Sequence, residues 1–383
     1  MTAPLNGITI LDLTQVLAGP FASVTLAGLG ATVIKVERPL SGDDSRHMPP
    51  FSGDKSAYFA AVNHSKKSIA LDLKADADRK IFERLLPHAD VLLESARPGA
   101  MERLGYGWDD LHAVFPKLIY GSVSGYGQTG PDAKRPVYDL VAQARGGLMS
   151  MTGASGQAPL PAGAAIADMT AGMVLVQGVL AALIARQNTG HGSRVDISLL
   201  DAQVAVLEQA IASTSATGEA PVSTGARHKS IAPCETFHTS DGVVVIAIGN
   251  DTLFEKLCVA LNLPLSDDPR FATNAARVEH ARLLKRLIEA ITLDNTCAHW
   301  IAKLGAAGIP SSPVQTIDQV MRDPQVIARN MIVDVLDRNG RPAFKAAGNP
   351  IKMTGLNDTT VRQAAPDLDA NRGEILRWLA EDG

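Results

Sequence analysis

The 383-residue sequence predicts an α/β fold with a parallel, doubly wound sheet, and three observations carry that expectation. The chain opens as a strand–helix–strand unit, the same rhythm repeats up to residue 123, and its length suits about two domains with a large buried core.

Ile8 to Leu13 is a short apolar run that suits a buried strand; Ala18-Gly19-Pro20 leads into a helix-like stretch ending at Leu29, and Ala31 to Glu37 is the second strand. The alternation continues with a strand Lys67 to Leu73, an amphipathic helix Asp76 to Leu86, a strand Ala89 to Glu94, a helix Trp108 to Phe115 and a strand Leu118 to Val123. A long apolar helix opens around Asp168, followed by a strand Ser193 to Ser198 and a helix from Leu199 to about Ser213. Thr217 to Ala232 is rich in small and polar residues and reads as a linker or loop. Val243 to Ile248 and helical stretches 252–261, 278–292 and 296–305 then predict a smaller α/β domain. The tail, with a strand Ile332 to Leu336 and a helix Asp369 to Leu379, is expected to return to the first domain. The boundaries are therefore set at 1–215, 216–315 and 316–383.

A net charge of −4 with no run of like charges argues against a nucleic-acid partner. The start lacks the basic and long apolar regions of a signal peptide, and the apolar run Met173 to Ala185 is short for a bilayer. The expectation is a cytoplasmic protein without a membrane span. Cys234, Cys258 and Cys297 have no disulfide-framework or metal spacing, and no metal is expected.

Glu37 ends the second strand where a ribose-binding acid would stand, but the first turn has one glycine where a dinucleotide site needs three. Arg38 follows at the carboxyl edge of the predicted sheet, where doubly wound folds hold ligands, and Lys66, Lys67, Lys74, Arg97 and Arg103 come in the next segments. Each alone suits a solvated surface, whereas together they suit the phosphates of a carrier molecule. The nucleophile elbow, phosphate loop and zinc-protease motifs are missing from the sequence. Asp168 stands just before an apolar helical run, where its segment alone suits a helix N-cap better than a nucleophile. Tyr138-Asp139 is a polar pair in an apolar stretch, in which a tyrosine commonly packs into the core.

Five segments, Leu11 to Pro20, Val33 to Pro39, Ser68 to Lys74, Pro98 to Gly105 and Ala164 to Gly172, occur in an order that resembles the class III coenzyme A transferases over essentially the whole chain. The resemblance implies a Rossmann-like large domain made from both chain ends, a small domain, and an interlocked homodimer. It implies Asp168 as the nucleophile. It also implies coenzyme A lying against Leu17, Ala18, Arg38, Leu71, Asp72, Leu73, Lys74, Ser95, Ala96, Arg97, Arg103, Pro136, Val137, Tyr138 and Asp139. Acyl-CoA and a small carboxylic acid are then the substrates, with no prosthetic group, and CoA passes through an aspartyl-CoA thioester. Asp168 is expected at the ordinary carboxylate pKa, so that positioning supplies the catalysis.

The family's oxalate branch carries a glycine-run loop, and this chain has Thr224-Gly-Ala-Arg-His-Lys-Ser-Ile-Ala-Pro233 there. That loop looks more like members using succinyl-CoA and C4 to C6 dicarboxylic acids. Arg227 and His228 are the candidates for the non-reacting carboxylate, Arg46 is a weaker one, and Gln15 is a candidate stand-in for a family glutamine replaced here by Leu17. Two alternatives are an α-methylacyl-CoA racemase, disfavoured because Tyr138 stands where its histidine would, and a CoA-binding protein without catalysis.

Overall fold

Residues 2–381 are described by a computed structural model. Six strands form a fully parallel sheet in the order Lys67–Ala70, Thr32–Glu37, Thr9–Leu13, Val91–Glu94, Ile119–Ser124, Arg194–Ser198. By chain order this runs 3-2-1-4-5-6, so the winding reverses between Thr9–Leu13 and Val91–Glu94. Ile10 lies opposite both Val33 and Val91.

Alternate residues feed two cores. Ile10, Val33, Val91 and Ile119 point toward the helices Ala18–Gly28 and Ile166–Thr189, whereas Leu11, Ile34, Ile69 and Leu92 pack with the helices Asp76–Leu85 and Arg372–Glu381. Burial on both faces explains why the strands read as continuous apolar runs. The helix Ile166–Thr189 has 24 residues and is long and apolar enough to cross a membrane, contrary to the shorter run counted from the sequence. Ala167, Ala171, Leu175, Val179 and Ala182 nevertheless bury one face of it in the core under the sheet. Gly172 allows a close crossing: a Cβ there would stand 2.6 Å from the Ala18 carbonyl oxygen.

The chain groups into two compact units, one of residues 1–148, 162–216 and 323–383, the other of 149–161 and 217–322. The sequence boundaries need two corrections. Segment 149–161 joins the second unit because the Gly225 N–H donates to the Gly153 carbonyl (3.1 Å) and Ser223 Oγ to that of Ala154 (3.2 Å). The return to the first unit comes at Asp323 instead of residue 316. The helix expected from Leu199 is also two, Leu199–Val206 and Glu208–Thr217. In the second unit the strands Cys234–His238, Val243–Ala247 and Ser311–Pro313 make an antiparallel sheet. Phe237, Val244, Phe254, Leu284 and Trp300 fill its core with residues of the surrounding helices.

The C-terminal segment closes the outer edge of the six-stranded sheet. Asn371 Oδ1 accepts the Ser68 N–H (2.9 Å), Asp369 Oδ1 accepts the Ala70 N–H (2.8 Å), and the Asn371 N–H donates to the Ser68 carbonyl (3.0 Å).

A buried charge cluster holds the carboxyl ends of the first strands. Asp12 accepts from Thr14 N–H (2.9 Å) and Ser23 Oγ (2.6 Å), and Lys66 Nζ reaches its Oδ2 at 2.9 Å. Lys66 also donates to Ser23 Oγ, Asn63 Oδ1 and the Pro20 carbonyl, so all its donors are engaged. Lys35 Nζ bridges the Thr14 carbonyl (2.8 Å) and Asp43 (2.9 Å), and Asp43 Oδ1 accepts the N–H groups of Val16 and Ser45. Burial works against these charges, but the ammonium groups and hydroxyls win at Asp12, whose pKa falls well below the carboxylate range. Lys66→Met leaves Asp12 buried with only Lys35, at 4.0 Å, as counter-charge, and should cost about 3–5 kcal/mol in urea unfolding. Adding Asp12→Asn should recover part of that loss; strictly additive effects would count against a coupled pair.

Candidate active site

Asp168 does not cap its helix. The helix starts at Ile166 with Ala165 in the cap position, and Asp168 stands in the first turn. The capping carboxylate comes from Asp139, whose Oδ1 accepts the N–H groups of Ala167 (2.7 Å) and Asp168 (3.2 Å). Gln143 fixes Asp139 by donating to its Oδ2 at 2.6 Å, while its own Oε1 accepts the Ala162 N–H at 2.9 Å. Asp139 and Gln143 lie one turn apart at the start of the helix Asp139–Arg145, so a local i,i+4 contact orients the cap.

Among the described residues no hydrogen bond reaches the Asp168 carboxylate. Burial, and then the negative charge of Asp139, push its pKa up to about 6, against the expectation of an ordinary value. The group is thus ionised at neutral pH and more basic than a surface aspartate. Tyr58, on the helix Ala57–Asn63, belongs to the same neighbourhood: burial and the charges of Asp168, Asp139 and Asp43 raise its phenol pKa. Sequence reading missed Tyr58 because its short helix carries no recognised motif.

Asp168 and Gly172 share a helix face, and Gly172 lies against Ala18. The close crossing therefore brings the start of the Asp168 helix to the start of the helix Ala18–Gly28, which follows the loop after the first strand. At the reversal point of the sheet, Ser95 Oγ accepts the Gln15 N–H (2.9 Å) and joins the loops after the first and fourth strands. Arg38 Nη2 donates to Gln15 Oε1 (3.1 Å) and to the Gly42 carbonyl (3.3 Å), and pairs with Asp44. Gln15 thus holds an arginine at this edge. Leu17 and Ala18 begin the helix, while Leu71, Asp72, Leu73 and Lys74 follow the edge strand. Lys74, Arg97 and Arg103 are exposed, and none has an ion pair among the described residues.

The remaining cations divide differently from the sequence expectation. Lys66 is buried in the cluster around Asp12, and Lys67 pairs with Glu374 (2.7 Å). Arg46 is not a free substrate arginine: it forms a fork with both oxygens of Glu37 (2.7 Å each), donates to the Pro366 carbonyl and stacks on Phe59. The same fork, with Ser68 Oγ and the Asp43 N–H, takes up Glu37 and leaves no ribose acid. Pro136 and Tyr138 are exposed, Tyr138 by 77%, so this tyrosine is not a core side chain; Val137 packs partly against the core and leads to Asp139. Arg227 and His228 belong to the second unit, where the His228 N–H donates to the Cys234 carbonyl (2.8 Å) and its Nδ1 accepts the Ser230 N–H (3.1 Å).

Residues 5–372 match CoA-transferase family III. The chain belongs to that family. It is a CoA-transferase accordingly, and its relatives carry dicarboxylate names. An acetyl-CoA:oxalate CoA-transferase of Acetobacter aceti is 41% identical over 98% of this chain and 95% of its own. A succinate–glutarate CoA-transferase of Agrobacterium fabrum is 37% identical over 98% and 96%, and a succinyl-CoA:glutarate CoA-transferase of Mus musculus is 40% identical over 87% and 77%. A crystal structure of a CAIB/BAIF family protein from Brucella suis superposes with a TM-score of 0.88 at 36% identity, covering 99% of this chain and all of the other.

Asp139→Asn keeps an oxygen for the helix N–H groups and removes the negative charge beside Asp168. The acid limb of the transfer rate should then move from near pH 6 to lower pH with little change in melting temperature. Asp139→Ala should in addition cost about 0.5–2 kcal/mol of stability through loss of the cap. An unmoved acid limb in the Asn variant would remove Asp139 from the electrostatics of Asp168.

Proposed function

We propose that this CoA-transferase moves coenzyme A from an acyl-CoA donor, succinyl-CoA among them, to a dicarboxylic acid, with Asp168 as the covalent carrier. The carrying observation is the Asp168 carboxylate, which has a pKa pushed up to about 6 and no hydrogen bond among the described residues. A structural acid would be bonded, as Asp12 and Asp43 are.

In the proposed sequence an Asp168 oxygen attacks the donor carbonyl and the C–S bond breaks, giving a mixed anhydride and CoA thiolate. The thiolate attacks the Asp168 carbonyl carbon and releases the donor acid, leaving an aspartyl-CoA thioester. The acceptor carboxylate attacks that carbon, thiolate leaves, and its return to the acceptor acyl carbon forms the new acyl-CoA and frees Asp168. The raised basicity of Asp168 makes it a better nucleophile than a surface carboxylate, and the start of its helix favours the negative charge of each adduct. The racemase alternative needs an imidazole as a proton carrier; the charged group acting on Asp168 is the carboxylate of Asp139.

Coenzyme A is placed against Leu17, Ala18, Arg38, Leu71 to Lys74, Ser95 to Arg97, Arg103 and Pro136 to Asp139, with Lys74, Arg97 and Arg103 free for its phosphates. The large unit would be Rossmann-like, and the working form a cytoplasmic homodimer. Leu140, Val141, Met173, Ile184, Val204 and Ile211 are all more than two-fifths exposed on helices of one unit, an apolar load that a partner chain would cover. The relatives' acceptors run from oxalate to glutarate, so the C4 to C6 range drawn from the loop is widened to C2.

Asp168→Asn, verified as not deamidated, should lose transfer by orders of magnitude while still binding CoA, and hydroxylamine should trap Asp168 of the parent as a hydroxamate during turnover. Transfer at the parental rate would end the assignment. At pH values above about 6 this variant should also melt higher than the parent, with the gap closing below about pH 4, where the half-buried carboxyl is protonated in the folded and the unfolded chain alike. In a panel of acceptors, oxalate, succinate and glutarate should be tried against butyrate; equal kcat/KM for succinate and butyrate would overturn the dicarboxylate preference. Lys74→Ala with Arg103→Ala should weaken CoA binding measured by calorimetry, by roughly tenfold or more.

A further inference from the structure

The second unit contains an open cavity of about 470 Å³ beside the start of the helix Ala281–Thr292. Arg227, Arg282, Arg286 and His280 line it, together with one acid, Glu279. None of the three arginines has an ion pair among the described residues; Glu235, whose charge interacts with that of Arg227, is held at 3.3 Å by Lys285. The volume is within the range of small-molecule sites.

Helix physics opposes this arrangement. Arg282 stands in the first turn, where the helix dipole disfavours a cation, and no acid is present there. Arg286 follows at i+4 on the same face, a like-charge spacing that destabilises a helix. No side chain caps the first N–H groups, because His280 uses Nδ1 on the Ala276 carbonyl (2.9 Å). Arg227 comes to the same cavity from a different segment, and that segment is fixed. Asn274 accepts the Ala232 N–H (3.2 Å) and donates to the Ser230 carbonyl (2.9 Å), and the fully buried Arg277 donates to the Ala232 carbonyl (2.8 Å). Three cations are thus held together with a single acid, Glu279, among the residues that line the cavity. A bound oxyanion reverses the sign of each of these interactions.

We propose that this cavity binds a small dianion, a dicarboxylate or a phosphate, through Arg227, Arg282 and Arg286. The site stands whether or not Asp168 is the nucleophile.

The test is calorimetry on the full chain at low salt, with succinate, inorganic phosphate and adenosine 3′,5′-bisphosphate titrated separately, which distinguishes a carboxylate from a phosphate ligand. At least one should bind, more weakly as salt is raised. Arg282→Gln with Arg286→Gln should reduce that affinity by about tenfold or more. Without ligand this double variant should melt no lower than the parent, because two unfavourable charges are gone. Lys substituted at both positions should retain part of the binding, and adenosine 3′,5′-bisphosphate is titrated in the Lys74→Ala, Arg103→Ala background, where the binding that remains is separated from the sheet edge. The proposal is overturned if none of the three probes binds at millimolar concentration, or if the glutamine variant binds as tightly as the parent.

Discussion

The pairing of Asp12 with Lys66 and Lys35 is the constraint on which the carboxyl edge of the large sheet depends. Parallel strands end in loops that have no ladder of their own, and the loop Thr14 to Leu17 must also deliver the chain into the helix Ala18–Gly28. Asp12 anchors that loop through the Thr14 N–H, Lys35 through the Thr14 carbonyl, and Asp43 through the Val16 N–H. Lys66 ties the same carboxylate to Ser23 and the Pro20 carbonyl on the helix side. Buried ion pairs are weak contributors to net stability, but removing one partner is severe, so the cluster acts chiefly by excluding other positions of the loop.

Asp139 and Asp168 are a second case of charge used against its own comfort. Asp139 stabilises the helix start by accepting two N–H groups, and its charge makes ionisation of Asp168 harder. One carboxylate therefore sets both the position of the other and its basicity. Position and basicity are coupled through Gln143, which orients Asp139 from one turn away.

Much of the large sheet was legible because buried parallel strands are apolar runs of characteristic length, and all six were found within a few residues of their observed limits. The prominence of Asp168 was also legible, but the reading of it as a helix cap was not upheld: the start of the helix is held by a carboxylate 29 residues earlier, which no local pattern reveals. Arg46 and Lys66 failed as ligand candidates for a related reason. Sequence shows that a cation is present, whereas its availability depends on whether Glu37 or Asp12 has already claimed it. Segment 149–161 was assigned to the wrong unit because its ties to residues 223 and 225 are nonlocal backbone contacts. Tyr58 was invisible because its short helix lies between recognised motifs.

The closure of the sheet edge by Asp369 and Asn371 has a consequence for biosynthesis. Ser68 is joined 303 residues before the asparagine that covers it. At roughly 5–20 residues per second this leaves the strand Lys67–Ala70 without its cover for about 15–60 s on each nascent chain. For that interval its exposed amide and carbonyl groups are a template for a neighbouring chain on the same message. Yield of folded protein is then governed by translation speed and chaperone access to this strand as well as by the stability of the finished fold.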